Sequence, residues 1–356
     1  MIVNQILDCI VFLFIGGILI LPVGIYGKDN SCLSITNMNV LKGIACVLVI
    51  ISHISIQLGG KGVLILTSSV GYLAVGIFFF SSGYGLIYSF TNKDNYLNGF
   101  IRKRVLKILV PFWFTNVFFL LINVVVYSKH YAHLDVIEYV FGIKLICGHH
   151  WFIVFLICFY LLFWLVGIAL KKTSYIIAVM AILTLIISVL IGFKIIKYGD
   201  FGKNILAFPI GMMVAKYNIV IKKIISNASK KIGVISMAIF IVTYAYYTII
   251  KWHIGMENNL LVNYIVDFIC QTSFIVMMLM LVQKYNVKSR VTLFISGISY
   301  EVYLIHQLGL DFAKYVFKGG YEAIVIVSGI MMAVVLGYAF KLMIEKESWR
   351  KDNVSR

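Results

Sequence analysis

Apolar runs long enough to cross a bilayer dominate this chain. A span needs about 17 to 25 mainly apolar residues. Eleven runs meet that length: 5–27, 38–60, 64–90, 106–128, 149–170, 173–193, 204–220, 232–251, 260–283, 291–313 and 322–344. Polar residues gather in the short segments between them, the longest being 91–105 and 129–148. The pattern predicts an all-α, polytopic transmembrane helix bundle of about eleven spans. No repeat is visible at the level of residue identity, and no linker is long enough to set a second domain apart. The first run lacks a basic stretch ahead of it and exceeds the apolar length of a signal peptide, so it reads as a retained helix.

Composition supports the same solvent. The 356 residues are 62% hydrophobic and 13% charged, with a mean hydropathy of +0.98. Soluble domains carry about 25% charged residues, and a water-soluble chain of this size has no single core able to hide so much apolar surface. The net charge of +17 does not point to nucleic acid, because the cations lie between apolar runs, where they orient helices and meet anionic headgroups. Only five of the 31 basic residues are arginine, a lysine bias that points to a bacterial origin. Assigning alternate segments to alternate sides puts 22 of those 31 on one side and nine on the other. The rich side is cytoplasmic by the positive-inside rule, which places the N-terminus outside and the C-terminus inside. Six cysteines, at 9, 32, 46, 147, 158 and 270, form no CxxC pair and sit mostly within apolar runs. They read as small hydrophobes rather than disulfide or metal ligands.

Ionisable groups at membrane depth are costly, and each is a candidate for function. The second run carries Lys42 and His53, eleven residues apart. At 100° and 1.5 Å per residue they share one helix face, about 16 Å apart along the axis. They are either a snorkelling lysine and a hydrogen-bonded histidine, or a cation and a base on one rail. In the third run, Ser81 and Gly85 form a small-xxx-small pair that lets helices approach closely; Ser82 and Tyr84 lie beside it. Arg102, Lys103, Arg104 and Lys107 follow, just before Pro111. They either set topology or capture an anion such as a nucleotide phosphate, with Arg104 and Lys107 three apart on one face. His149, His150 and Trp151 open the fifth span. Adjacent histidines diverge by about 100° on a helix, which argues against a shared metal, and Trp151 suits an interfacial belt. The tenth run holds Glu301 and His306, about 140° apart, facing different partners.

Five of these segments, in order, resemble the integral-membrane acyltransferase 3 family of bacterial O-acyltransferases. They are Lys42 with His53, Gly76 to Gly85, Arg104 with Lys107 before Pro111, His149 to Phe152, and Ser299 to His306. Lys42 and Lys107 stand where arginine is usual, which removes a bidentate fork. The resemblance implies a ten-span acyltransferase-like core over 31–348, an additional N-terminal helix within 1–30 and a short cytoplasmic tail, 349–356. It also implies a plasma-membrane enzyme that moves an acyl group, acetyl in particular, from cytoplasmic acyl-CoA to a hydroxyl of a cell-surface or lipid-linked glycan. Donor phosphates would rest on Lys42, Arg102, Arg104 and Lys107, with the acceptor near Ser82, Tyr84, His149 and Trp151. His53 would act as general base or acyl relay, oriented by Glu301 or His306. Acyl-CoA (acetyl-CoA), the glycan, membrane lipid and glycan-biosynthesis proteins are the implied partners, without metal or nucleic acid.

A second reading from another class is a transporter or flippase for polysaccharide or lipid-linked saccharide. No matching pair of Gly/Pro-broken helices supports it. The topology has a direct check. A tag at the N-terminus is expected to be reachable from outside and one at Arg356 only from inside. Both tags reporting the same side would overturn the eleven-span alternation, most directly at 5–27.

Overall fold

The structure, a computed structural model, describes residues 9–11, 15–17, 31–62, 64–193, 195, 204–246, 248, 260–285, 290–317 and 321–354. The predicted first span at 5–27 lies largely outside them, whereas the tail expected at 349–356 continues as helix to Val354. Every regular element among the described residues is helical. They are α1 (Ile35–Gln57), α2 (Leu64–Ser68), α3 (Val70–Asn92), a π-helical turn (Ile101–Val105), α4 (Leu106–Val125) and α5 (His133–Phe141). A 3₁₀ turn (Gly148–His150) leads into α6 (Trp151–Ala169). Then come α7 (Thr173–Gly192), α8 (Ala207–Lys216), α9 (Asn218–Ala245), α10 (Leu260–Tyr285), α11 (Arg290–Gly297), α12 (Ser299–Val316) and α13 (Glu322–Val354).

Eight helical stretches among the described residues are long and apolar enough to span a membrane. The chain is an all-α, polytopic membrane protein. Two predicted spans take other forms. The run at 204–220 yields only the short apolar helix Asn204–Lys216. The run at 291–313 breaks at Ile298, whose φ and ψ of −118° and 8° leave the helical region, so α11 and α12 are separate helices. The lysine-rich stretch expected between spans is instead helical within α9, bent at Ala228; lysine is a good helix former. Some ends also moved. Ser34 caps α1 by accepting from the Asn37 N–H at 3.1 Å. The other end stops at Gln57 because Gly59 and Gly60 take positive φ, a backbone state open to glycine.

Side-chain placement inverts that of a soluble protein. On α4, Phe114, Val117, Phe118, Leu121 and Val125 are exposed, while Thr115 and Asn116 are buried. On α7, Ile182, Leu185, Ile186 and Val189 are exposed while Thr184 and Ser188 are buried. Lipid is as apolar as a core, so the outer face needs no polarity, whereas buried polar groups need partners. Ser188 Oγ, for example, lies 2.5 Å from the Tyr264 hydroxyl of α10.

The chain forms two compact units, Met1–Ile87 with Thr184–Lys341, and Tyr88–Leu183 with Leu342–Arg356. In the first, glycines set how closely helices pack. A Cβ at Gly43 would run into the Thr292 carbonyl of α11, one at Gly83 into the Phe208 carbonyl of α8, and one at Gly211 into the Phe80 carbonyl of α3. The α3–α8 seam is therefore made by Gly83 and Gly211. The small-residue pair read from the sequence, Ser81 and Gly85, does not make it, for a Cβ at Gly85 would meet nothing within 4 Å. In the second unit, the π-helical turn and α5 both pack on α4, and Gly142 ends α5 in the left-handed conformation at φ 77°.

Gly83→Ala is expected to lower stability by about 1–3 kcal/mol through overpacking against backbone. Gly85→Ala, in open space, is expected to be neutral or slightly stabilising. Thermal unfolding of the detergent-purified variants measures both, and equal losses would sink this account of the seam.

Candidate functional site

In the first unit the polar groups are organised by α1 lying against α11 and α12. Gly43 meets Thr292, Cys46 Sγ is 3.9 Å from the Ser299 carbonyl, and His53 stacks on His306. From Cys46 to His53 and from Ser299 to His306 are both seven residues, about 10 Å of rise. The two helices therefore run side by side in one direction over this stretch. Between Gly43 and Cys46, by contrast, three residues of α1 face seven of the other strand of the seam. That mismatch is absorbed at Ile298, where α11 ends and α12 begins, both packed on α1.

The imidazoles of His53 and His306 stack with centroids 5.1 Å apart and planes 24° from parallel. His306 is buried and His53 half-buried. The Nδ1 of His306 lies 2.8 Å from the Tyr303 carbonyl oxygen. A carbonyl only accepts, so this nitrogen carries the proton and Nε2 is the basic one. Tyr303 packs on the ring of His306 at 5.8 Å and meets Phe78 of α3 edge-on at 6.4 Å. An aromatic wall thus fixes the orientation of the imidazole whose tautomer the backbone sets.

The other expected residues of this unit fall along the same helices. Lys42 is half-buried on α1, eleven residues before His53. Glu301 stands in the first turn of α12, five residues or about 7.5 Å before His306, at the level of Cys46 rather than of the ring pair. On α3, Ser82 is half-buried. Tyr84 is buried, with its hydroxyl donating to the Leu33 carbonyl at 2.9 Å and accepting from Asn218 Nδ2 at 3.2 Å. That hydroxyl ties the segment before α1 to α3 and α9.

The second unit carries the cations. Arg102 and Lys103 are exposed within the π-helical turn and Lys107 is exposed at the start of α4; Arg104 is half-buried, its guanidinium 5.9 Å from the ring centroid of Tyr96. The π turn closes with the Leu106 N–H on the Ile101 carbonyl. Such widened turns change the angular spacing of neighbouring side chains and recur at functional sites. His150 is fully buried between the rings of Phe112 and Phe119, its Nδ1 3.0 Å from Asn116 Oδ1, while Asn116 Nδ2 donates to the Val140 carbonyl at 3.2 Å. His149 beside it is half-buried, so the two histidines diverge as adjacent residues should. Trp151 is buried against Phe155 and not placed at a lipid-facing belt. In the segment before α6, Lys144 sits 2.6 Å from both Asp135 and Glu138. These hydrogen bonds, to Asp135 first, raise its ammonium further above the usual lysine range, so the contact persists at neutral pH.

Residues that the sequence did not single out complete the first unit's polar seam. One turn beyond His53, Gln57 Nε2 donates to Asp311 Oδ1 at 2.8 Å, and Gln307 Nε2 donates to the same oxygen at 2.8 Å. Lys314 Nζ donates to the Gln57 carbonyl at 2.9 Å.

The fold and these groups define a multi-pass membrane protein with stacked imidazoles held among its spans. Residues 35–342, beginning with α1, match the family model described as an acyltransferase domain, and the chain belongs to that family, acyltransferase 3. It is accordingly a membrane acyltransferase. No curated protein and no solved structure matches it.

The His150–Asn116 pair has its own test. Asn116→Leu leaves a buried imidazole N–H unsatisfied and is expected to cost about 1–3 kcal/mol. Adding His150→Phe removes the other partner and should recover part of the loss. Wild-type stability in the single variant, by thermal unfolding, would overturn the structural role given to this bond.

Proposed function

We propose that this acyltransferase moves an acyl group, acetyl in particular, from cytoplasmic acyl-CoA to a hydroxyl of a cell-surface or lipid-linked glycan, in the plasma membrane of a bacterium. The single observation that carries the reading is the stacked pair of His53 and His306, two imidazoles inside a membrane protein of an acyltransferase family. An imidazole, with an ordinary pKa near 6.5, accepts and returns a proton at neutral pH.

The acceptor oxygen attacks the thioester carbonyl while an imidazole takes its proton. The tetrahedral intermediate then collapses, the C–S bond breaks, and the imidazolium returns the proton to the departing CoA sulfur. His53, half-buried, is the base that meets the acceptor. His306 supports it through the stacked ring, since two imidazolium rings at this distance repel and only one holds the proton at a time. Lys42, about 16 Å down the same helix face, marks the cytoplasmic end of the rail along which the pantetheine arm extends. Arg102, Arg104 and Lys107 supply cations for the donor phosphates. Ser82, Trp151 and His149 remain acceptor-side candidates, and Glu301 is best read as a partner for charge near the Lys42 end of α12.

Activity of variants tests this reading. His53→Ala is expected to lower glycan acylation by about 10² to 10⁴-fold, with inserted protein at wild-type amounts. Lys42→Arg should be tolerated. Replacing Arg102, Arg104 and Lys107 together with glutamine should weaken acetyl-CoA binding and blunt its salt dependence. Normal acylation by inserted His53→Ala protein would take the mechanism down. Unchanged donor affinity in the triple variant would return that cluster to setting topology.

A further inference from the structure

The first unit keeps a polar cluster that the transfer chemistry does not use. Gln57, Gln307 and Asp311 meet at the end of α1 opposite Lys42, one helical turn past the ring pair. Asp311 spends one carboxylate oxygen on two amide donors, which leaves Oδ2 as a strong acceptor. Gln57 Oε1 is buried and has no hydrogen-bond partner among the described residues. Lys314 closes the same corner on the Gln57 carbonyl. On either side of Gln57 in the chain, Ile56, Gly59 and Gly60 line a cavity of about 400 Å³ together with Ile65, Ser68, Ser69 and Thr248.

A tie between two helices needs only one acceptor and one donor. Among the described residues this cluster keeps two acceptor oxygens without a donor, at the end of α1 whose flanking residues edge that cavity. Two acceptors held a few ångströms apart suit an occupant with several O–H donors, and a buried orphan acceptor costs free energy until such a donor arrives. We propose that Gln57 and Asp311 form the acceptor subsite, binding hydroxyls of a carbohydrate and presenting a neighbouring hydroxyl to His53. The proposal rests on the acyl-transfer reading. It commits the acceptor to a polyol entering from the end of α1 away from Lys42, and it makes Asp311 a positioning residue rather than a catalytic one.

Asp311→Asn is the discriminating variant, because asparagine keeps the carbonyl that takes both amide N–H groups and removes only the second acceptor oxygen. The assay uses full-length protein in membranes, acetyl-CoA as donor, and the host cell's own envelope glycan, stripped of esters by mild base, as acceptor. The expected result is a KM for the glycan raised about tenfold or more, with a smaller change in kcat and unchanged acetyl-CoA affinity. Gln57→Met, which leaves Asp311 its Gln307 donor, should shift the glycan KM in the same direction. Wild-type KM in both variants overturns the subsite and leaves the cluster as a helix tie. A fall in kcat at unchanged KM, or loss of acetyl-CoA binding, also overturns it, assigning Asp311 to the chemistry or to the donor. Should wild-type protein acylate no glycan at all, the acyl-transfer reading itself fails, an outcome separate from the other three.

Discussion

The contact between α1 and the 290–316 segment is the constraint on which the polar interior of the first unit depends. Gly43 lets the α1 backbone touch the Thr292 carbonyl, and close approach of this kind is what holds helices together where lipid offers no hydrophobic drive. Once that contact is set, Cys46 meets Ser299, His53 meets His306, and Gln57 meets Asp311 in order along one seam. A side chain larger than glycine at position 43 would push α11 away and pull every later pair out of register. The break at Ile298 serves the same end, for it lets α11 and α12 each pack on α1.

Several buried polar groups in this membrane setting are held by local devices. The Tyr303 carbonyl fixes the His306 tautomer, Asn116 holds His150, and Leu33 and Asn218 share the Tyr84 hydroxyl. In hydrocarbon an unmet donor or acceptor costs several kcal/mol, so such bonds also freeze the side chains that make them. Rigid placement is what acid–base transfer requires, because misplacement by about 1 Å is enough to cost rate heavily. The polar seam of α1 and α12 is thus both the means by which the helices tolerate polar residues and the frame that aims the imidazoles.

Three positions on one helix now have distinct physical settings. Lys42 is half-buried near one end, His53 faces another imidazole, and Gln57 contacts a carboxylate at the far end. A cation, a base and a hydrogen-bonding corner in that order match a donor that is anionic at its far end, a reaction at the middle and a polyol acceptor. On the proposed reading, α1 connects the two ends of a transfer reaction that no single pocket needs to contain.

The amino-acid sequence by itself determined the solvent, the fold class and the family resemblance, because apolar length and the order of motifs are written along one dimension. It also placed Lys42 and His53 on one face, since helical periodicity alone decides that. Only the tertiary structure decided what those residues meet. The pairing of His53 with His306 and of Gln57 with Asp311 joins positions some 250 residues apart, and nothing local specifies their register. The apolar run from 291 to 313 conceals its break at Ile298, because a broken and a continuous helix share the same hydropathy. Likewise, Ser81 and Gly85 satisfy the small-residue pattern, yet Gly83 makes the contact with α8. Spacing identifies which residues share a face, but only the packed neighbour determines which face is used.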